Sequence, residues 1–318
     1  MTQQTLAQTR VIDPILTTHA QGYLRPGNVG RLLFPIATVR AYGGQVLEFG
    51  KESFRRYNTK RAPGSATKRI TFGYAGKPYA ITPAGLEALV PDENQNDASA
   101  VPGLDLASDA IDLVLDTHEL AHEYECAEIA RNATNYDNSH KAALVGADRW
   151  TGDSSDPTQD ISAAKNAVRG SIGVRPNTVL LSASAFAGLE SNKSIIDRLK
   201  YTGRDAVTTE ILARLWGVQS VVVGEAVGAT GQDDDLGDVW GDDVIVAYVA
   251  PPTGGNSRSN ARPSYGYTYS ITGMPLVRKP YRDENARSWV YPVDADRTPV
   301  LTGLLAGYLI QNAGAPAA

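Results

Sequence analysis

The sequence predicts an α+β fold with a polar N-terminal arm, a two-stranded hairpin, one long helix and a compact α/β region. Three observations predict it. Thirty Gly and eighteen Pro among 318 residues, with 20% charged, suit a loop-rich mixed fold better than a helical bundle. A stretch from about Asp105 to Asn132 holds neither Pro nor Gly. From about Pro157 to Ala250, short helical and strand patterns alternate.

The elements follow in order. Met1 to about Val46 is polar, with turn signals at Asp13-Pro14 and Arg25-Pro26-Gly27, and reads as an extended arm with one short helix. Two alternating stretches, Gln45 to Gly50 and Arg69 to Tyr74, flank a turn at Ala62-Pro63-Gly64-Ser65 and predict a long hairpin. A lone two-stranded hairpin is marginal in water, so its tip is expected to be supported by a neighbouring subunit. The helix from Asp105 to Asn132, with Ile111, Leu115, Ala121, Cys126 and Ile129 among its apolar positions, would span roughly 40 Å. A helix near Ile161 to Arg169, a strand at Thr178 to Leu181 and a helix from Ser184 come next. Val207 to Trp216 carries Ile211, Leu212 and Leu215 on one face and is stopped by Gly217. Strands at Gln219 to Val223 and Val244 to Val249 complete the α/β region. After a polar loop from Pro251 to Pro263, the alternation Tyr265, Tyr267, Tyr269, Ile271 marks a return to sheet, which strands near Ser288 to Tyr291 and Leu304 to Ile310 are expected to close.

This length buries a sizeable core without staples. One cysteine, Cys126, excludes an intramolecular disulfide, and with no secretory signal the expected setting is a reducing cytoplasm. The apolar run Leu301 to Ile310 is about half a membrane span and is interrupted by Gly303 and Gly307, so no membrane partner is expected.

Charge is unevenly placed. Lys51, Arg55, Arg56, Lys60, Arg61, Lys68, Arg69 and Lys77 face a single acid, Glu52, a net +7 over the hairpin. From Pro78 to Ala130 there are twelve acids and no Lys or Arg. Six of them, Asp105, Asp109, Asp112, Asp116, Glu119 and Glu123, recur at steps of three and four and form one stripe on the helix. The stripe is either a solvated face or a surface that receives the basic hairpin of another subunit. An acidic stripe and a basic hairpin in one chain favour the second, with assembly sensitive to salt and pH. The basic residues could also form a nucleic-acid patch, but Phe54 and Tyr57 alone do not make a stacking platform.

His118-Glu119-Leu120-Ala121-His122 matches the H-E-x-x-H zinc pattern on a predicted helix. Charged flanks at Asp116 and Glu123, no third downstream histidine, and no acid at a matching distance after it count against a zinc site, so His118, Glu119 and His122 are read as a decoy. Asp233 to Asp238 lacks the alternation of a calcium loop. No nucleophile elbow, phosphate-binding loop or dinucleotide fingerprint occurs. Neither catalytic residues nor a cofactor is expected, and the chain reads as a structural protein.

The succession Pro176-Asn177-Thr178-Val179-Leu180-Leu181-Ser182, Ile195 to Tyr201, Leu212 to Val218 and Val221 to Ala226 resembles the axial domain of HK97-type major capsid proteins of tailed double-stranded DNA bacteriophages. The order of parts resembles the same family over most of the chain. The resemblance implies an N-terminal arm (1–46), an extended loop hairpin (47–84), a peripheral domain with a spine helix (85–155), an axial domain (156–262) and a return to the peripheral domain (263–318). It further implies pentamers and hexamers closing into an icosahedral shell in the host bacterial cytoplasm. Double-stranded DNA would be packaged without sequence specificity, with portal, scaffolding and decoration proteins as partners. A related encapsulin-like nanocompartment, or a zinc hydrolase using the histidine pair, are the alternatives.

Overall fold

The structure, a computed structural model, describes residues 12–23, 25, 27–47, 60, 61, 76–99, 105–200, 206–229, 235–251 and 264–317. In chain order the elements are α1 (Pro14–Gly22), α2 (Gly30–Leu33), β1 (Ile36–Val39), β2 (Gly43–Leu47), β3 (Gly76–Ala80), β4 (Gly85–Pro91), α3 (Asp92–Ser99) and α4 (Leu106–Arg131). After these come β5 (Lys141–Ala143), α5 (Pro157–Ile172), β6 (Thr178–Ser182), α6 (Ala183–Ser191), α7 (Lys193–Leu199), α8 (Thr209–Trp216), β7 (Ser220–Gly224), β8 (Val227–Ala229), β9 (Leu236–Asp238) and β10 (Val244–Ala247). The chain closes with β11 (Gly266–Ile271), β12 (Leu276–Val277), β13 (Tyr281–Asp283), β14 (Ser288–Asp294), β15 (Arg297–Leu301) and β16 (Gly307–Gln311).

Local chemistry fixes the helix ends. Asp13 and Asp156 cap α1 and α5 with their carboxylates, each followed by Pro at the first helical position. Asp105 caps α4 in the same way, and Asn132 stands at its far end. Gly173 and Gly217 end α5 and α8 in the left-handed conformation, where a side chain would be strained.

The α/β region is built on a five-stranded sheet in the order β5-β16-β10-β6-β7. Its central strands β6 and β10 are buried along their whole length, as strands covered on both faces must be. Two of its strands come from outside the 156–262 stretch. The C-terminal run, expected to close the same sheet as Tyr265 to Ile271, pairs instead as β16 with β10 and β5. Leu309 and Ile310 are buried in the cores of this sheet, which is the reason for the placement.

The other expected partner also separates. β11 lies between β1 and β15 in a three-stranded sheet, whereas β14 lies in a four-stranded sheet with β4, β12 and β13. In β11 the alternation understates burial, because Thr268 and Ser270 on the second face are covered too. The base of the hairpin forms from β2 and β3, with Gly43 opposite Ala80 and Leu47 opposite Gly76. The expected strand at 69–74 and the turn at 62–65 lie outside the described residues.

α4 joins two cores. Its N-terminal half supplies Ile111, Val114 and Leu115 to a core with Ala88, Val90, Val277 and Val293. Its C-terminal half supplies Cys126, Ala127 and Ala130 to a core with Leu180, Trp240, Ile245 and Tyr265. Ala121, counted among the apolar positions of the helix, is exposed, because the buried face of this turn is occupied by Glu119, His122 and Glu123.

Candidate functional site: an acid clasp on the long helix

The acidic stripe of α4 is engaged from within the chain. The segment from α1 to α2 runs along it and meets its acids in turn. Asp105 is the N-cap, and the Ser108 hydroxyl beside it holds its carboxyl below the usual range. Asp109 is exposed. Asp112 bonds His19 Nε2 at 2.7 Å. Asp116 accepts from the Tyr23 hydroxyl at 2.7 Å, and Arg25 Nη1 donates to the Asp116 carbonyl at 3.3 Å. Burial, and then the Asp116 carboxylate, push the Tyr23 phenol up to about 12.

At Glu119 the stripe turns into the interior. One oxygen, Oε1, accepts from Arg31 Nη2 and Arg297 Nη1, both at 2.6 Å. The Arg297 and Glu119 side chains are 9% and 7% exposed, so this pair is little screened by solvent. Arg297 also donates to the His118 carbonyl at 2.7 Å and Asn28 to the Glu119 carbonyl at 3.1 Å, bracing the middle of the helix. One turn on, Glu123 is fully buried and accepts from three donors. These come from the N–H of Val29 at 2.8 Å, the N–H of Gly30 at 2.8 Å and the indole N–H of Trp240 at 2.7 Å. Burial pushes the Glu123 carboxyl up, and these three donors pull it back down. Gly30 is required here: a Cβ would stand 2.8 Å from Glu123 Oε2 and 2.9 Å from Cys126 Cβ.

The clasp therefore joins the arm, the helix, β15 and the Trp240 region at the place where the two cores of α4 meet. Four of the six stripe acids, Asp112, Asp116, Glu119 and Glu123, already hold partners from other parts of their own chain. Of the basic candidates, Lys51, Arg55, Arg56, Lys68 and Arg69 lie outside the described residues, and Lys60 and Arg61 are exposed.

The H-E-x-x-H residues are absorbed into the same packing. The Thr268 hydroxyl donates to the Phe34 carbonyl and so accepts from His122, which fixes the proton on Nε2 at 3.0 Å. Burial, and then Arg297 and Arg31, push this imidazole well down, so it is neutral. His118 is hydrogen-bonded to the Val293 backbone, and burial lowers it as well. Glu119 is held by two guanidinium groups. The three residues thus face different partners, and among the described residues no group of His, Cys, Asp and Glu is placed to hold a metal ion. A groove of about 280 Å³ beside α4 is lined by Glu125, Glu128, Thr298 and Pro299, but its cation, Arg297, is turned toward Glu119.

The sequence held a signal for the arm that the hairpin charge obscured. Residues 14–47 contain three Arg and one His and no acid, which makes the arm itself a complement to the acidic helix. No sequence pattern marks Trp240 or Arg297 as partners of Glu123 and Glu119, since they are 117 and 178 residues away.

The profile of the family described as phage major capsid protein E matches residues 107–292. The major capsid protein of Burkholderia phage BcepMu is 34% identical over 308 residues, 96% of this chain and 98% of that protein. The crystal structure of a phage-related protein from Bordetella bronchiseptica RB50 superposes with a TM-score of 0.85 at 51% identity, covering 98% of this chain and 100% of that one. A cryo-electron microscopy structure of an encapsulin from Synechococcus elongatus PCC 7942 reaches 0.55 at 12% identity, over 98% and 96% of the two chains, a likeness of fold alone.

Proposed function

The chain belongs to the phage major capsid protein E family and is a phage major capsid protein of HK97-type fold, and on that premise we propose that it forms pentamers and hexamers that close into an icosahedral shell around double-stranded DNA. The observation that carries this reading is the 34% identity to a major capsid protein along nearly the full length of both chains. A capsid protein assembles into a multimeric shell, and ring-forming contacts that close by rotation are the interface such a shell uses. The role is structural. The one catalytic-looking motif is built into the clasp, with its imidazoles neutral and its carboxylate held by two arginines.

On this reading the basic stretch from Lys51 to Lys77 reaches a neighbouring subunit. While the arm lies on α4, the Asp112 to Glu123 part of the stripe is occupied by its own chain and closed to that stretch. Portal and scaffolding proteins, and a decoration protein, would be its partners, with assembly in the host bacterial cytoplasm. No helix among the described residues is long and apolar enough to cross a membrane.

Sedimentation and negative-stain microscopy of the expressed full chain test the proposal, with nuclease-protected nucleic acid measured on particles recovered from lysed host cells. Closed particles or rings, with protected DNA in the recovered particles, are expected. Particles that carry protein cargo and no DNA would replace the viral shell with a nanocompartment. A monomer that stays unassembled when co-expressed with the neighbouring head genes would overturn the reading.

A further inference from the structure

The two helices of the arm are attached in different ways. α2 ends in the buried clasp on Glu119 and Glu123, whereas α1 lies along one side of β12. Asp13 N–H donates to the Val277 carbonyl at 3.2 Å, and Ile12 forms a bridge with Arg278. The Thr17 hydroxyl donates to the Val277 carbonyl at 3.3 Å and accepts from the Val277 N–H at 3.1 Å. The other side of β12 is paired with β14. Residues 12–17 therefore occupy the edge of the four-stranded sheet, and an uncovered strand edge is a template for pairing with another chain.

This cover is thin. On its inner side α1 places Ala20 and part of Leu16 against the core, while Ile15 is 79% exposed. Its hydrogen bond from His19 to Asp112 is solvent-exposed and the following contact of Arg25 with Asp116 is half-exposed, contacts of the class that contributes least. Between the two helices stands Gly27, at φ +89° with open space where a Cβ would be.

We propose that α1 is a hinged guard: turning about Gly27 while α2 stays clasped, it uncovers the β12 edge and the Asp112 and Asp116 carboxylates as a docking surface for a second copy of the chain. The partner follows from the chemistry uncovered. The Val277 N–H and carbonyl call for an extended strand, and the two acids call for cations. The chain itself carries a net +7 between Lys51 and Lys77 and belongs to a self-assembling family. The proposal rests on the capsid reading for the identity of the partner, and on the geometry alone for the hinge.

A double variant, Ile12→Cys with Arg278→Cys, the exposed facing residues of the antiparallel bridge, tests it in the full chain, since the native Cys126 is buried. Oxidised, the variant should keep its melting temperature and fail to form shells; reduced, it should assemble. Shell formation by the oxidised protein at the reduced rate would overturn the proposal. Hydrogen exchange on unassembled wild-type chain gives a second, independent readout. The amides of α1 should exchange at least about tenfold faster than those of Val29, Gly30 and Phe34, and faster again in Thr17→Val. Equal protection of the two helices, or no response to Thr17→Val, would refute the hinge whatever the crosslink does. If the wild type forms no shell under any condition, the capsid reading fails, and the exchange data still decide the hinge.

Discussion

Replacing Glu123 with alanine leaves three buried donors without an acceptor: the N–H groups of Val29 and Gly30 and the indole N–H of Trp240. An unsatisfied buried donor costs about 1–3 kcal/mol, which would give a gross loss of roughly 3–9 kcal/mol. Two effects reduce it. Removing a carboxylate that burial disfavours returns part of the loss, and α2 can shift enough to hydrate one of its amides. A net destabilisation of about 3–5 kcal/mol is expected, the range for breaking a buried, hydrogen-bonded charge. The assay is urea unfolding of unassembled subunits followed by circular dichroism, with the Trp240 contribution to emission taken as the difference from a Trp240→Phe control, since the chain has four tryptophans. The emission change should appear already in native buffer, because the indole N–H loses its partner. A stability change below about 1 kcal/mol, with unaltered emission, would refute the claim that this carboxylate ties the arm and the Trp240 region to the helix.

The same group sets a pH dependence of unusual sign. Its folded pKa is raised above 4.5, so its contribution is fully present below 4.5 and is lost as pH rises through the raised folded value. Wild type should therefore gain stability relative to Glu123→Gln as pH falls from neutral toward 4.5, measured by urea midpoints across that window. Arg297→Ala removes one of the two cations on Glu119 and the donor to the His118 carbonyl, and should lower stability by about 2–4 kcal/mol in the same assay. Asp105→Ala should cost about 1 kcal/mol through loss of the helix cap, whereas exposed Asp109→Asn should change stability by less than about 0.5 kcal/mol. Chelation with EDTA should leave the melting temperature unchanged, since among the described residues no ligand set converges at His118 and His122; a drop that added zinc reverses would restore the metal reading.

What the sequence by itself determined was local. The limits of α4 follow from Asp105, Asn132 and twenty-six residues free of Pro and Gly between them. The end of α8 follows from Gly217, whereas α5, expected near Ile161 to Arg169, runs from Pro157 to Ile172 because the Asp156 cap and the left-handed Gly173, local signals too, set its ends. The succession from Pro176 to Ala226 carried the family, since short apolar strands and capped helices in that order are properties of the chain read in sequence.

The tertiary structure decided which elements meet. β16 belongs to the α/β sheet and not to the sheet of β11, because any apolar strand can serve either and the surrounding core selects. The acidic stripe could be read from its spacing, yet its partner could not. Coulomb attraction is indifferent to where a cation lies in the sequence, so a +7 hairpin and the acid-free stretch 14–47 with three arginines and a histidine were equally eligible. The arm lies on α4 because α2 also fits its glycine against Cys126 and lends two N–H groups to Glu123, and such short-range, directional contacts exist only once the chain is folded.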